Sequence, residues 1–168
     1  EENFSKTMNF ETYDNNRSTR IRNLINSYDT IDYKTFKQIK YDHKLPRPLN
    51  YSFLDINVIW KIDHLKYPKL SDVILNLQNW DMSTDPNSIG AANYAVLYYT
   101  LINKFKNINY KKIFDEIEII DLITHTKDHL LKHFNSVNIK LGDFQKLIRG
   151  DKEIGIFGLP DVITAMKG

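Results

Sequence analysis

The chain has 168 residues, enough for one hydrophobic core and marginal for two. Basic residues number 23 against 21 acidic ones, a net charge of +2 that supplies no single-sign field for nucleic acid or a membrane surface. The absence of cysteine excludes disulfides, thiolate metal sites and cysteine nucleophiles together, and leaves the compartment open.

The first twelve residues show no strong period, though Phe4, Met8 and Phe10 alternate as a short extended segment would. Asp14, Asn15 and Asn16 are N-cap candidates for a helix whose apolar stripe is Ile21, Leu24, Ile25 and Tyr28. Arg17 lies four residues before Ile21 and so falls on that stripe. A guanidinium directed inward requires a carboxylate, a carbonyl cluster or a ligand. Asp29-Thr30-Ile31-Asp32 breaks the helix. A second helix is expected from about Tyr33 to Asp42, with Phe36 and Ile39 on one face, ended by Leu45-Pro46-Arg47-Pro48.

Leu49 to Ile62 reads as a buried helix, with a strand starting at Asn57-Val58-Ile59 as the alternative. Pro68 suits a first helical turn, and Leu70, Val73, Ile74, Leu77 and Trp80 continue a 3.6 period. After the polar turn Asp81–Ser88, Ile89 to Phe105 is apolar around most of its circumference, with small residues at its start that admit a close neighbour. It is expected to be the central helix. A last helical region covers Ile113 to Phe134, with a break expected near Glu118. Glycine-flanked alternating segments from Leu141 to Gly158 suggest a small β-element, and one helical turn is expected after Pro160. The fold class is therefore mainly α, a single multi-helix segment over 1–168 with a small β or loop element near the C-terminus. The chain opens on Glu1-Glu2-Asn3, so both ends read as boundaries or processing points within a longer protein.

Few residues group as chemistry would require. His125, His129 and His133 recur every fourth residue, a spacing that stacks imidazoles along a helix and suggests zinc or copper with Asp121 or Asp128. A solvated polar face explains them as well, because a straight helix rarely offers three ligands to one tetrahedral ion. No glutamate stands between paired histidines as a metalloprotease requires. Arg149-Gly150-Asp151 reads as a turn. Gly155-Ile156-Phe157-Gly158 lacks the Lys-Ser/Thr of a phosphate loop, and no serine has a nucleophile-elbow context. Neither Asp14/Asp42 nor Asp115/Glu118 can be assigned as acid and base from sequence position.

Several segments in order do carry a resemblance. They are Arg17-Ser18-Thr19-Arg20-Ile21-Arg22-Asn23-Leu24-Ile25; Phe36-Lys37-Gln38-Ile39-Lys40-Tyr41-Asp42; Leu77-Gln78-Asn79-Trp80-Asp81 followed by Gly90-Ala91-Ala92; and Leu141-Gly142-Asp143-Phe144 with Ile148-Arg149-Gly150-Asp151 and Gly158-Leu159-Pro160-Asp161. Together they resemble the penicillin acylase family, which includes cephalosporin and acyl-homoserine-lactone acylases.

The resemblance implies an interior helical part of the β-subunit of an αββα N-terminal nucleophile hydrolase. Such a parent cleaves amide bonds of small N-acyl substrates with a self-exposed N-terminal serine, which lies outside this stretch. It also implies that Arg17 has a supporting role near the oxyanion site, orienting the oxyanion asparagine. The expected partners are the rest of the β-subunit and the α-subunit, with no nucleic acid and no membrane. The parent is expected in the periplasm or secreted. Some members bind calcium through an aspartate shortly before this arginine. The comparable place here is near Lys6, where no aspartate stands, so no cofactor or metal is expected in this stretch. Asp42, Trp80 and Asp81 are expected to be scaffold. The competing expectation is a stand-alone helical interaction module with no catalytic activity.

Overall fold

The computed structural model describes residues 14–108 and 110–162. The expectations for Phe4, Met8 and Phe10, for the place near Lys6 and for the stretch after Val162 lie outside them. Among the described residues six α-helices, two 3-10 turns and four short strands follow one another, confirming a mainly α chain.

The longest apolar stretch forms α4 (Ile89–Phe105), with the Ser88 hydroxyl accepting the Ala91 amide as its cap. Every residue from Gly90 to Leu97 is buried. α4 packs between α3 (Ser71–Gln78) and α5 (Glu116–Phe134). Val73, Ile74 and Leu77 of α3 and Ile119, Leu122, Ile123 and Leu130 of α5 close the core around it. Each such side chain removed from water contributes about 1.5–3 kcal/mol, so this three-helix layer is the main source of cohesion. Gly90 allows the closest approach, because α4 runs directly against Trp80 there.

Four expectations are corrected. Leu49–Ile62 is neither a helix nor a strand at Asn57. It forms strand β1 (Leu54–Asp55) and a 3-10 turn at Asn57–Lys61. The cause is Asn57, whose carboxamide accepts from Leu49 N and donates to Leu49 O, both at 2.8 Å, and so folds the chain back on itself. The Ile113–Phe134 region is not one helix broken at Glu118. Lys112–Ile113 is β2, parallel to β1, and α5 begins after Asp115. Glu118 is the third residue of that helix, and it closes a reciprocal capping box with Asp115. Pro68 lies in a turn before α3 rather than inside it.

The C-terminal glycine-flanked segments do form a β-element. After the short helix α6 (Leu141–Phe144), strands β3 (Lys146–Arg149) and β4 (Lys152–Gly155) pair antiparallel around Gly150. The chain then returns across the body. Gly158 N donates to Thr84 O at 3.1 Å, and Leu159 and Val162 enter the core. This returning clip, residues 158–162, ends against the first helix.

The fourth correction concerns that helix, α1 (Asn16–Asn26), and its neighbour α2 (Tyr33–Lys40). The period of Ile21, Leu24, Ile25 and Tyr28 holds, but Ile21, Ile25 and Tyr28 are exposed, as are Tyr33 and Phe36. α1 is attached by its other side. Asn16 is buried there, and Arg20 grips Asp42 through two bonds of 2.9 and 2.6 Å.

Candidate functional site

Arg17 occupies the second position of α1. Asn15 caps the helix, its side chain accepting from Ser18 N while Ser18 Oγ accepts from Asn15 N, each at 2.9 Å. The first turn holds no acidic residue. A cation here meets the positive end of the helix dipole, which costs about 0.3–1 kcal/mol at an exposed site. The placement therefore works against α1 as an isolated helix, and such local conflicts concentrate at functional positions.

The three arginines of α1 are held differently. Arg20 is committed to Asp42, and burial beside that carboxylate is outweighed by the hydrogen bond, which holds the guanidinium pKa above its ordinary value. Arg22 is paired with Asp14, whose own pKa this guanidinium holds below the carboxylate range. Arg17 forms neither kind of pair. It is half-buried, and its Nε donates to Val162 O of the clip at 3.1 Å. Among the described residues nothing bonds its Nη1 or Nη2. The inward-facing arginine expected from the apolar stripe is thus half-buried on a stripe that is itself exposed. Its requirement for a carbonyl is met at Nε alone, and the two Nη amines remain as donors for something else.

Around it lies a polar cluster that periodicity did not reveal. Asn16, fully buried, accepts from Asn50 N at 2.6 Å and donates to Asp161 Oδ2 at 3.4 Å. Asn50 Nδ2 donates to Thr19 Oγ1 at 3.0 Å. Tyr51, next in the chain, is hydrogen-bonded hydroxyl to hydroxyl with the buried Tyr94. Burial first, and the charges of neighbouring groups including Asp161 next, push the hydroxyls of Tyr51 and Tyr94 far from ionisation. Tyr98 shifts in the same direction for the same leading cause. None of the three is a base at neutral pH.

The other candidates separate. Asp14 and Asp42 are spent on Arg22 and Arg20, and Asp115 and Glu118 on capping α5. Trp80 is buried scaffold, its Nε1 donating to Ser83 O at 2.7 Å, and Asp81 pairs with Lys44 at the surface. Arg149-Gly150-Asp151 is an exposed hairpin turn. His129 and His133 stack with ring centroids 4.4 Å apart on an exposed face of α5, and His125 faces Asp121 at 3.7 Å. Among the described residues no group of three or more His, Asp or Glu side chains is gathered as a metal would need. No helix among them is long and apolar enough to cross a membrane.

What this arrangement can do is limited and specific. It presents two guanidinium donors beside the positive end of a helix, a setting for an anion or for the dipole of a polar group. It holds no nucleophile with an adjacent base. The penicillin amidase family model matches residues 1–147 of the chain. No curated protein and no solved structure matches it.

Proposed function

The chain belongs to the penicillin amidase family, and we propose that it forms one wall of the active site in a larger amide hydrolase whose N-terminal serine lies outside these residues. In that site the serine attacks the carbonyl of a linear N-acyl amide, its own α-amine serving as base. Negative charge develops on the carbonyl oxygen, and preorganised donors hold it. Arg17 supplies the cation of this wall, orienting the neighbouring oxyanion donor with its Nη amines and biasing the local potential.

The observation that carries this reading is the pair of Arg17 Nη amines, unengaged among the described residues, on a guanidinium fixed at Nε and set at the head of α1. Arg20 and Arg22, on the same helix, are neutralised by carboxylates and offer no comparable group. The exposed apolar side chains of the two helices, Ile21, Ile25 and Tyr28 of α1 and Tyr33 and Phe36 of α2, support the same reading, since the rest of such a protein would cover them.

Those exposed side chains also favour a second reading, a helical module that docks on a partner without catalysis. One comparison separates the two. The complete protein is expected to hydrolyse an N-acyl p-nitroanilide, and the 168-residue chain alone is expected to release no p-nitroaniline. Turnover by the isolated chain would refute the placement of the nucleophile elsewhere. A complete protein with no hydrolytic activity would favour the docking module.

A further inference from the structure

Asn16 is a fully buried polar side chain at the head of a helix whose apolar stripe is exposed, the reverse of the usual arrangement. It is held from two directions: Asn50 N donates to its oxygen, and its nitrogen donates to Asp161. A carboxamide is the group of this size that offers an acceptor and a donor in one plane. Aspartate lacks the donor at neutral pH and leucine lacks both.

The next residue repeats the grip. Arg17 Nε donates to the carbonyl of Val162, the residue after Asp161. Two successive residues of α1 thus hold two successive residues of the clip. The clip has its own anchors, with Leu159 and Val162 in the core and the Gly158 carbonyl accepting from Gln145 Nε2 at 3.1 Å. Asp161 adopts φ 66°, a left-handed conformation uncommon for residues other than glycine.

We infer that Asn16, clamped between Asn50 and Asp161, is a positioning residue for the Arg17 guanidinium. This rests on the role of Arg17 proposed above. The Nε–carbonyl bond fixes the guanidinium plane only if the Val162 carbonyl is itself fixed relative to α1, and the Asn16–Asp161 contact supplies that second point. With it, the Nη amines point in one direction before substrate arrives. Without it, the long side chain samples other rotamers and loses that preorganisation.

The test is a double-mutant cycle in the complete protein, following hydrolysis of an N-acyl p-nitroanilide, with thermal unfolding of each variant. Asn16→Ala is expected to lower kcat about tenfold while KM moves less than about threefold. Added to Arg17→Ala, it is expected to lower kcat by less than about twofold, because its effect passes through the guanidinium. Asp161→Ala should reproduce the Asn16→Ala phenotype, and Asp161→Asn, which keeps an acceptor, should restore kcat. The Asp161 pair carries the test if Asn16→Ala does not fold. Multiplicative losses in the double variant, or an unchanged kcat in Asn16→Ala or Asp161→Ala, would overturn the inference alone. An unchanged kcat in Arg17→Ala would overturn the role of Arg17 and the inference with it.

Discussion

Replacing Gly90 with alanine tests how the central helix is seated. A Cβ at this position would lie 2.3 Å from Trp80 Cβ and 2.8 Å from the carbonyl oxygen of Asn76. Carbon atoms in contact prefer about 3.5–4.0 Å, so the overlap with Trp80 exceeds an ångström. Neither obstacle is a flexible side-chain end, since one is backbone and the other is bonded to it. Helix α4 must therefore move, and Ala91, Tyr94 and Leu97, all buried, move with it. Overpacking of this kind costs about 1–3 kcal/mol and occasionally more. Alanine returns at most about 1 kcal/mol of helix propensity, and less in a first turn. The expected balance is a destabilisation of about 2 kcal/mol, read as a shift in the urea midpoint at unchanged slope. Gly150→Asn is the control: its backbone is at φ 56° with nothing within 4 Å of an added Cβ, and asparagine tolerates that region. Its change should stay below about 1 kcal/mol. A Gly90→Ala variant as stable as the parent would refute the close seating of α4 on Trp80.

Asn57→Ala removes both bonds to Leu49 together with the Trp60 Nε1 contact at 3.0 Å. It should cost about 2–3 kcal/mol in chemical denaturation, and a loss below 0.5 kcal/mol would show that the turn stands without it. Asp42→Ala leaves the half-buried Arg20 without its bidentate partner, for an expected loss of about 1–2 kcal/mol, and an unchanged melting temperature would contradict this. The His129 ring has its pKa lowered, by burial first and then by the charges of His133 and Lys132. The folded chain therefore binds that proton less readily than the unfolded one. Stability should rise with pH between the depressed folded pKa and the ordinary histidine value, then level off. His129→Gln should flatten that slope, and an unaltered slope would remove His129 as its source.

Periodicity located the core helices well because burial is what periodicity records. Ile89–Phe105 matches the observed α4 at both ends, and Val73, Ile74 and Leu77 all reach the core. It failed where a single side chain overrode the local pattern. Asn57 converts an apolar run into a turn, and Asp115 with Glu118 starts a helix where a break was expected. On α1 the period of Ile21, Leu24, Ile25 and Tyr28 is real, yet among the described residues Ile21, Ile25 and Tyr28 stay exposed and the polar Asn16 is buried instead.

The candidate site was legible only in part. Arg17 stands out because a cation on an apolar stripe is anomalous in any sequence. Asn16 was one of three adjacent cap candidates, and nothing local shows that Asn15 caps while Asn16 is buried. Its partner Asp161 lies 145 positions away, a pairing that no sequence period encodes. The resemblance drawn across Gly158-Leu159-Pro160-Asp161 lies beyond residues 1–147, which the family model matches, and it does not indicate that the segment returns to α1.

The most direct measurement is the steady-state hydrolysis of an N-acyl p-nitroanilide by the complete protein with Arg17→Ala and Arg17→Lys, alongside their thermal unfolding. Arg17→Ala is expected to lower kcat about a hundredfold with its folding intact. Lysine should recover only part of the loss, because a point charge does not replace the two Nη donors held in one plane. Kinetics of Arg17→Ala indistinguishable from the parent would contradict the account.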